Sequence, residues 1–563
     1  MNGFFRLAWV DSLRYLTVGV ALLLLVPIGG VAVGMFDGDA AAWLHISRTT
    51  LPELVSNSLL LGAMVATGVV CIGTLCAWFI AQHEFPGRAL LEWLLILPLA
   101  MPAYVMAYAY TDALQFAGPV QSVLRDTFSW QGKAAYWFPE IRSLGGAALM
   151  LTFVLYPYVY VLARVAFLEQ SSTLAEAGRT FGFGRFGIFR RISLPLARPA
   201  IAAGTALALM ETLADYGTVS YFGVPTFTTG IFNAWFSQGD RASASRLALI
   251  LMLFVAIAMV IENLSRRRSR FHQAPGRRYA RVPLCGTQRW IATGFCALPI
   301  AVGFAVPTLI LLRLTIRDGD ANFGARFITL AANSAGVAAI TALIAVSLAL
   351  LLAYGARLSK SRWNRTVNQA AGLGYAIPGT IIAVGVLIPV GQLDHALINL
   401  LERLSGASIP LLLTGGVLVL VYAYVIRFLG VAQQSVGAGL TQITPSMDNA
   451  ARSLGASASV VALRVHAPLL RGSLITATLL VFVEVMKELP ATLVLRPFNF
   501  DTLAVQAYNL AMDERLAEAS TASLAIVAVG LIPVVFAARA ITRPARSRQG
   551  FAPRLRKERP SPS

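Results

Sequence analysis

Stretches of roughly 20 mostly apolar residues, the length a helix needs to cross ~30 Å of hydrocarbon, recur twelve times along this chain of 563 residues. They lie near 15–35, 54–81, 90–111, 146–168, 197–216 and 245–263, then near 290–312, 327–356, 369–391, 410–430, 471–489 and 519–540. Only 13% of the residues are charged, against ~25% for soluble domains. A membrane barrel needs short alternating strands instead. The pattern therefore predicts an all-α integral membrane protein of about twelve transmembrane helices.

The formal net charge of +19 raises nucleic acid as a partner, but its placement argues for lipid. With the chain starting inside, the inside segments are 1–15, 82–89, 169–198, 264–289, 357–367, 427–471 and 539–563, and they hold most of the 46 Lys and Arg. That asymmetry predicts two cytoplasmic termini. Arg266, Arg267, Arg268 and Arg270, with the tail from Arg539 to Arg559, read as orientation signals at an anionic leaflet, with no nucleic-acid role. Arg6 and Arg14 before the first run resemble a secretory leader, but the run is longer than a usual signal core, so an uncleaved first span is expected. Cys71, Cys76, Cys285 and Cys296 form no CxxC pair, and the five histidines show no HExxH spacing. Neither a disulfide nor a catalytic metal site is indicated.

The chain repeats itself. EAGRTFGFGRFGIFRRISLP (176–195) and NAARSLGASASVVALRVHAP (449–468) share a frame 273 residues apart, with Gly182 on Gly455 and Pro195 on Pro468. Upstream the offset is 276, placing Asn57-Ser58 on Asn333-Ser334 and Pro102 on Pro378. The expected organisation is a first half at 1–263, a basic cytoplasmic linker at 264–289, a second half at 290–540 and a basic tail at 541–563. Six spans per half give both halves one orientation, related by an axis along the membrane normal, with a path between them.

Both repeated segments read as helix, glycine turn, helix. Thr173 to Glu176 (TLAE) fits a capping box, and Gly182 fits the left-handed C′ position. A second short helix from Arg185 to Leu194 is then expected, before Pro195 opens the next span. Thr444-Pro445 reads as a cap with proline at the first helical position, Gly455 as the stop and Pro468 as the start of the following span. Such loops could be alike through duplication alone.

The spacing EAA-x3-G-x9-I-x-L-P, filled by Glu176, Ala177, Gly182, Ile192, Leu194 and Pro195, resembles the EAA loop of binding-protein-dependent ABC importer permeases. Gly178 stands where that family usually has Ala. The second copy keeps Ala450, Ala451, Gly455 and Pro468 but has Asn449 for Glu, Val465 for Ile and Ala467 for Leu. The resemblance implies that each loop docks on one of two copies of a cytoplasmic ABC ATPase. It also implies an external substrate-binding protein and a bacterial inner membrane. No GxxxxGK[ST] occurs in the chain, so ATP-Mg is expected on the partner, with no cofactor and no enzymatic activity here.

Ionisable residues in spans are functional candidates because burying them is costly. Glu211 and Asp215 are four apart and are expected on one face of the fifth span; Glu484 and Glu488 match them in the eleventh, beside Tyr216 and Lys487. They read either as a translocation path or as helix-end charges satisfied by nearby cations. METLADYGTVSYFGVPTFTTGIFNAW (210–235) and EVMKELPATLVLRPFNFDTLAVQAY (484–508) resemble the ferric-iron branch of these permeases, and carboxylates suit a hard trivalent cation. Permeases for thiamine, polyamines and phosphonates share the architecture, and carboxylates suit organic cations equally. A secondary transporter would also accommodate twin repeats but gives no reason for the matched loops.

Overall fold

The computed structural model describes residues 2–267, 281–317, 324–358, 372–406, 408, 410–441, 443–456 and 458–542. The centre of the basic linker and the tail from 543 onward lie outside the described residues. Ten of the described helices are long and apolar enough to cross a membrane. A further crossing is broken, Arg88–Ala100 followed by Ala103–Phe128 at 92°, and Asn2–Gly34 supplies the apolar segment Val18–Gly34. The all-α membrane architecture of about twelve helices is what the apolar runs predict. One parallel two-residue pairing, His83↔Val282 and Glu84↔Pro283, ties the end of the second span to the linker.

Prolines decide where the spans break. Pro102 and Pro378 are N-caps in extended conformation (ψ 139 and ψ 140), each following a short 3-10 turn, Leu97–Ala100 or Gly372–Ala376. A residue before proline is forced out of the α region, so the third span is bent rather than continuous. The ninth begins at Gly379, ten residues after its expected start at 369, and runs to Ser405, fourteen beyond its expected end at 391.

The fifth and eleventh spans differ from expectation in the opposite sense. No new helix opens at Pro195 or Pro468. Arg185–Ile188, Phe189–Ser193 and Leu194–Ala214 follow without interruption, as do Ala458–Val461, Ala462–His466 and Ala467–Met486. The middle piece of each is a π-turn, with Leu194 N bonding Phe189 O. Proline lacks an N–H and its ring crowds the carbonyl four residues back. One wide turn just upstream absorbs both problems and lets the helix continue.

The halves interlock. The first span lies against the ninth so closely that a Cβ on Gly30 would sit 2.2 Å from Gly385 O, and one on Gly385 2.2 Å from Pro27 O. Small residues permit such approach between membrane helices, where dispersion drives association. Tyr110 Oη donates to Val302 O (2.8 Å), joining third and seventh spans. The matched Asn-Ser pairs have matched work. Asn57 donates to Pro225 O and Ser58 accepts from Phe227 N (3.0 and 3.2 Å). Asn333 donates to Asp501 O and Ser334 accepts from Leu503 N (3.2 and 2.8 Å). Each pair pins the hairpin that follows the broken end of the fifth or eleventh span.

Candidate functional site

Two kinds of site emerge, a pair of loops and one cavity. In the first loop Ser172–Thr180 is helical. Its cap is Ser171, whose Oγ accepts from Thr173 N (3.3 Å) and meets Thr173 Oγ1 at 2.7 Å. The expected capping box from Thr173 to Glu176 is replaced by a simple cap two residues earlier: Thr173 already lies inside the helix, and Leu174, three residues after Ser171, has no polar group to bond back. The counterpart of Ser171 is Thr444, which precedes Pro445–Ser453 and meets Ser446 Oγ at 2.7 Å. Gly182 and Gly455 are left-handed, at φ 76 and φ 81. Phe183 N bonds Gly178 O (3.0 Å) and Ala456 N bonds Ala451 O (3.1 Å), the six-to-one bond of a Schellman stop.

Glu176, Gly182, Asn449, Ala450, Gly455 and Pro468 are exposed; Ile192, Leu194, Pro195 and Ala451 are half-buried. Ala177 lies in the first helix. Sequence reasoning missed the residues just before the two glycines. Phe181 is 77% exposed and Leu454 88%, large apolar side chains set at the same point of two polar loops. Their signal was the shared offset of 273.

The cavity, of about 120 Å³, lies between the halves. It is lined by the break of the third span, the fourth span, residues 211 and 214–217, Arg427 and Phe428 of the tenth span, and residues 484 and 487–490. Glu211, Asp215, Tyr216, Glu484, Lys487 and Glu488 all reach it. They are not equivalent. The fifth span ends at Ala214, and Asp215 is extended (ψ 132), so Asp215 does not share a helical face with Glu211. Its carboxylate caps the short helix Gly217–Tyr221, accepting from Thr218 N, Val219 N (both 3.1 Å) and Thr218 Oγ1 (3.0 Å).

Glu488 does the same for Pro490–Leu495, accepting from Ala491 N (3.0 Å), Thr492 N (3.1 Å) and Thr492 Oγ1 (2.8 Å). Broken backbone at membrane depth must have its N–H groups satisfied within the protein. These two carboxylates satisfy them.

Glu211 and Glu484 remain, and their surroundings differ. Glu484 pairs with Lys487 at 2.9 Å. Glu211 accepts from Tyr375 Oη at 2.7 Å, across the interface between halves. Arg427, grouped by sequence with the inside basic residues, stands 3.7 Å from Glu488. Among the described residues neither Glu211 nor Asp215 carries an ion pair, and no group of three or more His, Cys, Asp or Glu is arranged to hold a metal ion. The cavity thus sets four carboxylates against one lysine and one arginine, the excess negative charge on the first half.

Residues 70–276 match the family described as binding-protein-dependent transport system inner membrane component. The chain is 25% identical over 494 residues to the Fe(3+)-transport system permease protein FbpB 2 of Haemophilus influenzae, covering 86% of this chain and 90% of that protein. It is 23% identical over 529 residues to the ferric transport system permease protein FbpB of Actinobacillus pleuropneumoniae, covering 89% and 73%. A shorter relative, the molybdenum transport system permease protein ModB of Escherichia coli, is 29% identical over 230 residues, 39% of this chain but 94% of that protein. One such protein is the size of one half. Residues 70–276 thus carry the binding-protein-dependent permease domain, and the chain as a whole is similar to ferric permeases along both of its halves.

Proposed function

We propose that this permease carries ferric iron inward, received from an external binding protein and driven by two copies of a cytoplasmic ABC ATPase. The observation that carries the assignment is the central cavity, whose four carboxylates outnumber its two cationic side chains. An oxyanion such as molybdate would be repelled there, whereas a hard cation finds oxygen ligands. The likeness to two ferric permeases over most of the chain supports the same reading. With Asp215 and Glu488 committed to backbone, Glu211 is the carboxylate free to exchange a tyrosine hydroxyl for a cation. The cavity is a transit point and not a store.

Both termini and both loops lie on the cytoplasmic side in this reading, following the placement of Lys and Arg. ATP-Mg binds the partner, and the chain has no cofactor and no catalytic residue of its own. Glu176, Ala177, Gly182, Ile192, Leu194 and Pro195 form one docking element, and Asn449, Ala450, Ala451, Gly455 and Pro468 the other, with Phe181 and Leu454 as apolar anchors.

The test is uptake by proteoliposomes holding the permease, its ATPase and its binding protein. Radiolabelled ferric iron should accumulate with ATP, and molybdate, thiamine, putrescine and phosphonate should not. Accumulation of any of those four without iron would overturn the cargo.

A further inference from the structure

A docking helix transmits force only if its ends are tied to something that moves. In the first half the tie is Gln82, the last residue of Leu51–Gln82. Its Nε2 donates to Gln170 Oε1 (3.1 Å), just before the cap Ser171, and to Ser193 Oγ (3.2 Å), on the π-turn beyond the loop. Gln170 Nε2 in turn donates to Ser193 O (2.9 Å), and Trp78 Nε1 holds Gln82 Oε1 (3.0 Å). Gln82, Gln170 and Ser193 are all buried. One side chain therefore grips the loop at its beginning and its end.

The second half has none of these residues at the matching positions, yet makes the same two grips. Ile443 stands for Gln170 and His466 for Ser193. In the last turns of Ala325–Leu358, Arg357 donates to Leu440 O and Ile443 O (both 3.0 Å), holding the beginning. Tyr354, the counterpart of Trp78, meets His466 Nδ1 at 2.7 Å, holding the end. A relic of duplication would keep the side chains. Here the side chains differ and the geometry of the grip persists. In the first half the gripping side chains are buried, where breaking a hydrogen bond is costly.

We propose that the second and eighth spans are the levers through which the loops act, with Gln82 in one half, and Arg357 and Tyr354 in the other, as the positioning residues that brace each loop at both ends. The proposal rests on the docking role of the loops.

The complete transporter would be compared as wild type, Gln82→Leu, Ser193→Ala, the double variant Gln82→Leu/Ser193→Ala, Tyr354→Phe and Gly182→Val. ATPase bound per permease, basal hydrolysis and hydrolysis stimulated by loaded binding protein would be measured for each. Gln82→Leu should keep the ATPase bound and basal hydrolysis intact while stimulation falls about tenfold, the scale of two lost hydrogen bonds. Tyr354→Phe should give the same signature more weakly, since Arg357 remains. The double variant should be no worse than Gln82→Leu, as residues acting through one bond are non-additive.

Normal stimulation in both Gln82→Leu and Tyr354→Phe beside an uncoupled Gly182→Val would overturn the levers and leave docking standing. Normal stimulation in all three would overturn both. Parallel loss of bound ATPase, basal and stimulated activity in Ser193→Ala and Tyr354→Phe would reduce the grips to structural ties and overturn the proposal.

Discussion

The two halves agree in backbone and disagree in side chains. Capped helix, left-handed glycine, π-turn before proline, broken span and capping carboxylate recur at matched positions. The cavity charges do not recur. Arg427 falls opposite Val154, and Lys487 opposite Ala214, so the second half neutralises its acids with cations. The first half brings no cation to the cavity: Asp215, like Glu488, is held by backbone N–H groups, and Glu211 by the hydroxyl of Tyr375, which the second half supplies. In the proposed account this follows from the partners. Two motor subunits require the same docking geometry twice, whereas a single cargo has no need of a symmetric cavity.

Replacing Gly182 or Gly455 by Val attacks the shared backbone and should have the largest effect. A Cβ at either position meets nothing within 4 Å, so the harm is confined to the left-handed backbone. That strain is about 1–2 kcal/mol for an L-residue, and equal in the two halves. Transport should fall several-fold with normal membrane insertion, and more for Gly182→Val because the first loop carries the fuller EAA pattern. Since the strain is equal, any difference in ATP-driven uptake measures docking. Wild-type uptake in both variants would remove the coupling role of the two loops.

A smaller effect tests how the loops are packed. A Cβ on Gly178 would lie 2.7 Å from Ile192 Cδ1, while the matching positions hold Ala451 and Val465. One methyl has moved from one partner to the other. Gly178→Ala should therefore cost roughly 1 kcal/mol of stability by overpacking, and Gly178→Ala with Ile192→Val should restore it. The unfolding midpoint of the purified permease is the measurement. No recovery in the double variant would show that the two loops are packed by different rules.

Much of this was legible in the sequence because it is periodic or positional. Span count follows from apolar length, the tandem design from the offsets, and the left-handed glycines from their place after a polar helix. What was not legible depends on where proline and glycine act in three dimensions. Pro195 and Pro468 look like helix starts, but a π-turn lets the helix run through them. Asp215 looks like the i+4 partner of Glu211, but the helix ends one residue earlier. Arg427 looks like an orientation charge until the fold brings the tenth span beside Glu488. The grips of Gln82 and Arg357 join residues 88 and 86 apart in sequence, a separation at which no local pattern speaks.

The charge asymmetry of the cavity is the central claim, and the comparison of Glu211→Gln with Glu484→Gln tests it most directly. In the reconstituted transporter, ferric uptake and stimulated ATP hydrolysis would be followed together. Glu211→Gln removes a carboxylate without an ion pair and should lower iron uptake about tenfold, the scale of one charge-assisted contact, while hydrolysis still responds to the binding protein. Glu484→Gln removes one already neutralised by Lys487 and should lower uptake less. Iron uptake unchanged in Glu211→Gln, or impaired equally in the two variants, would contradict the account.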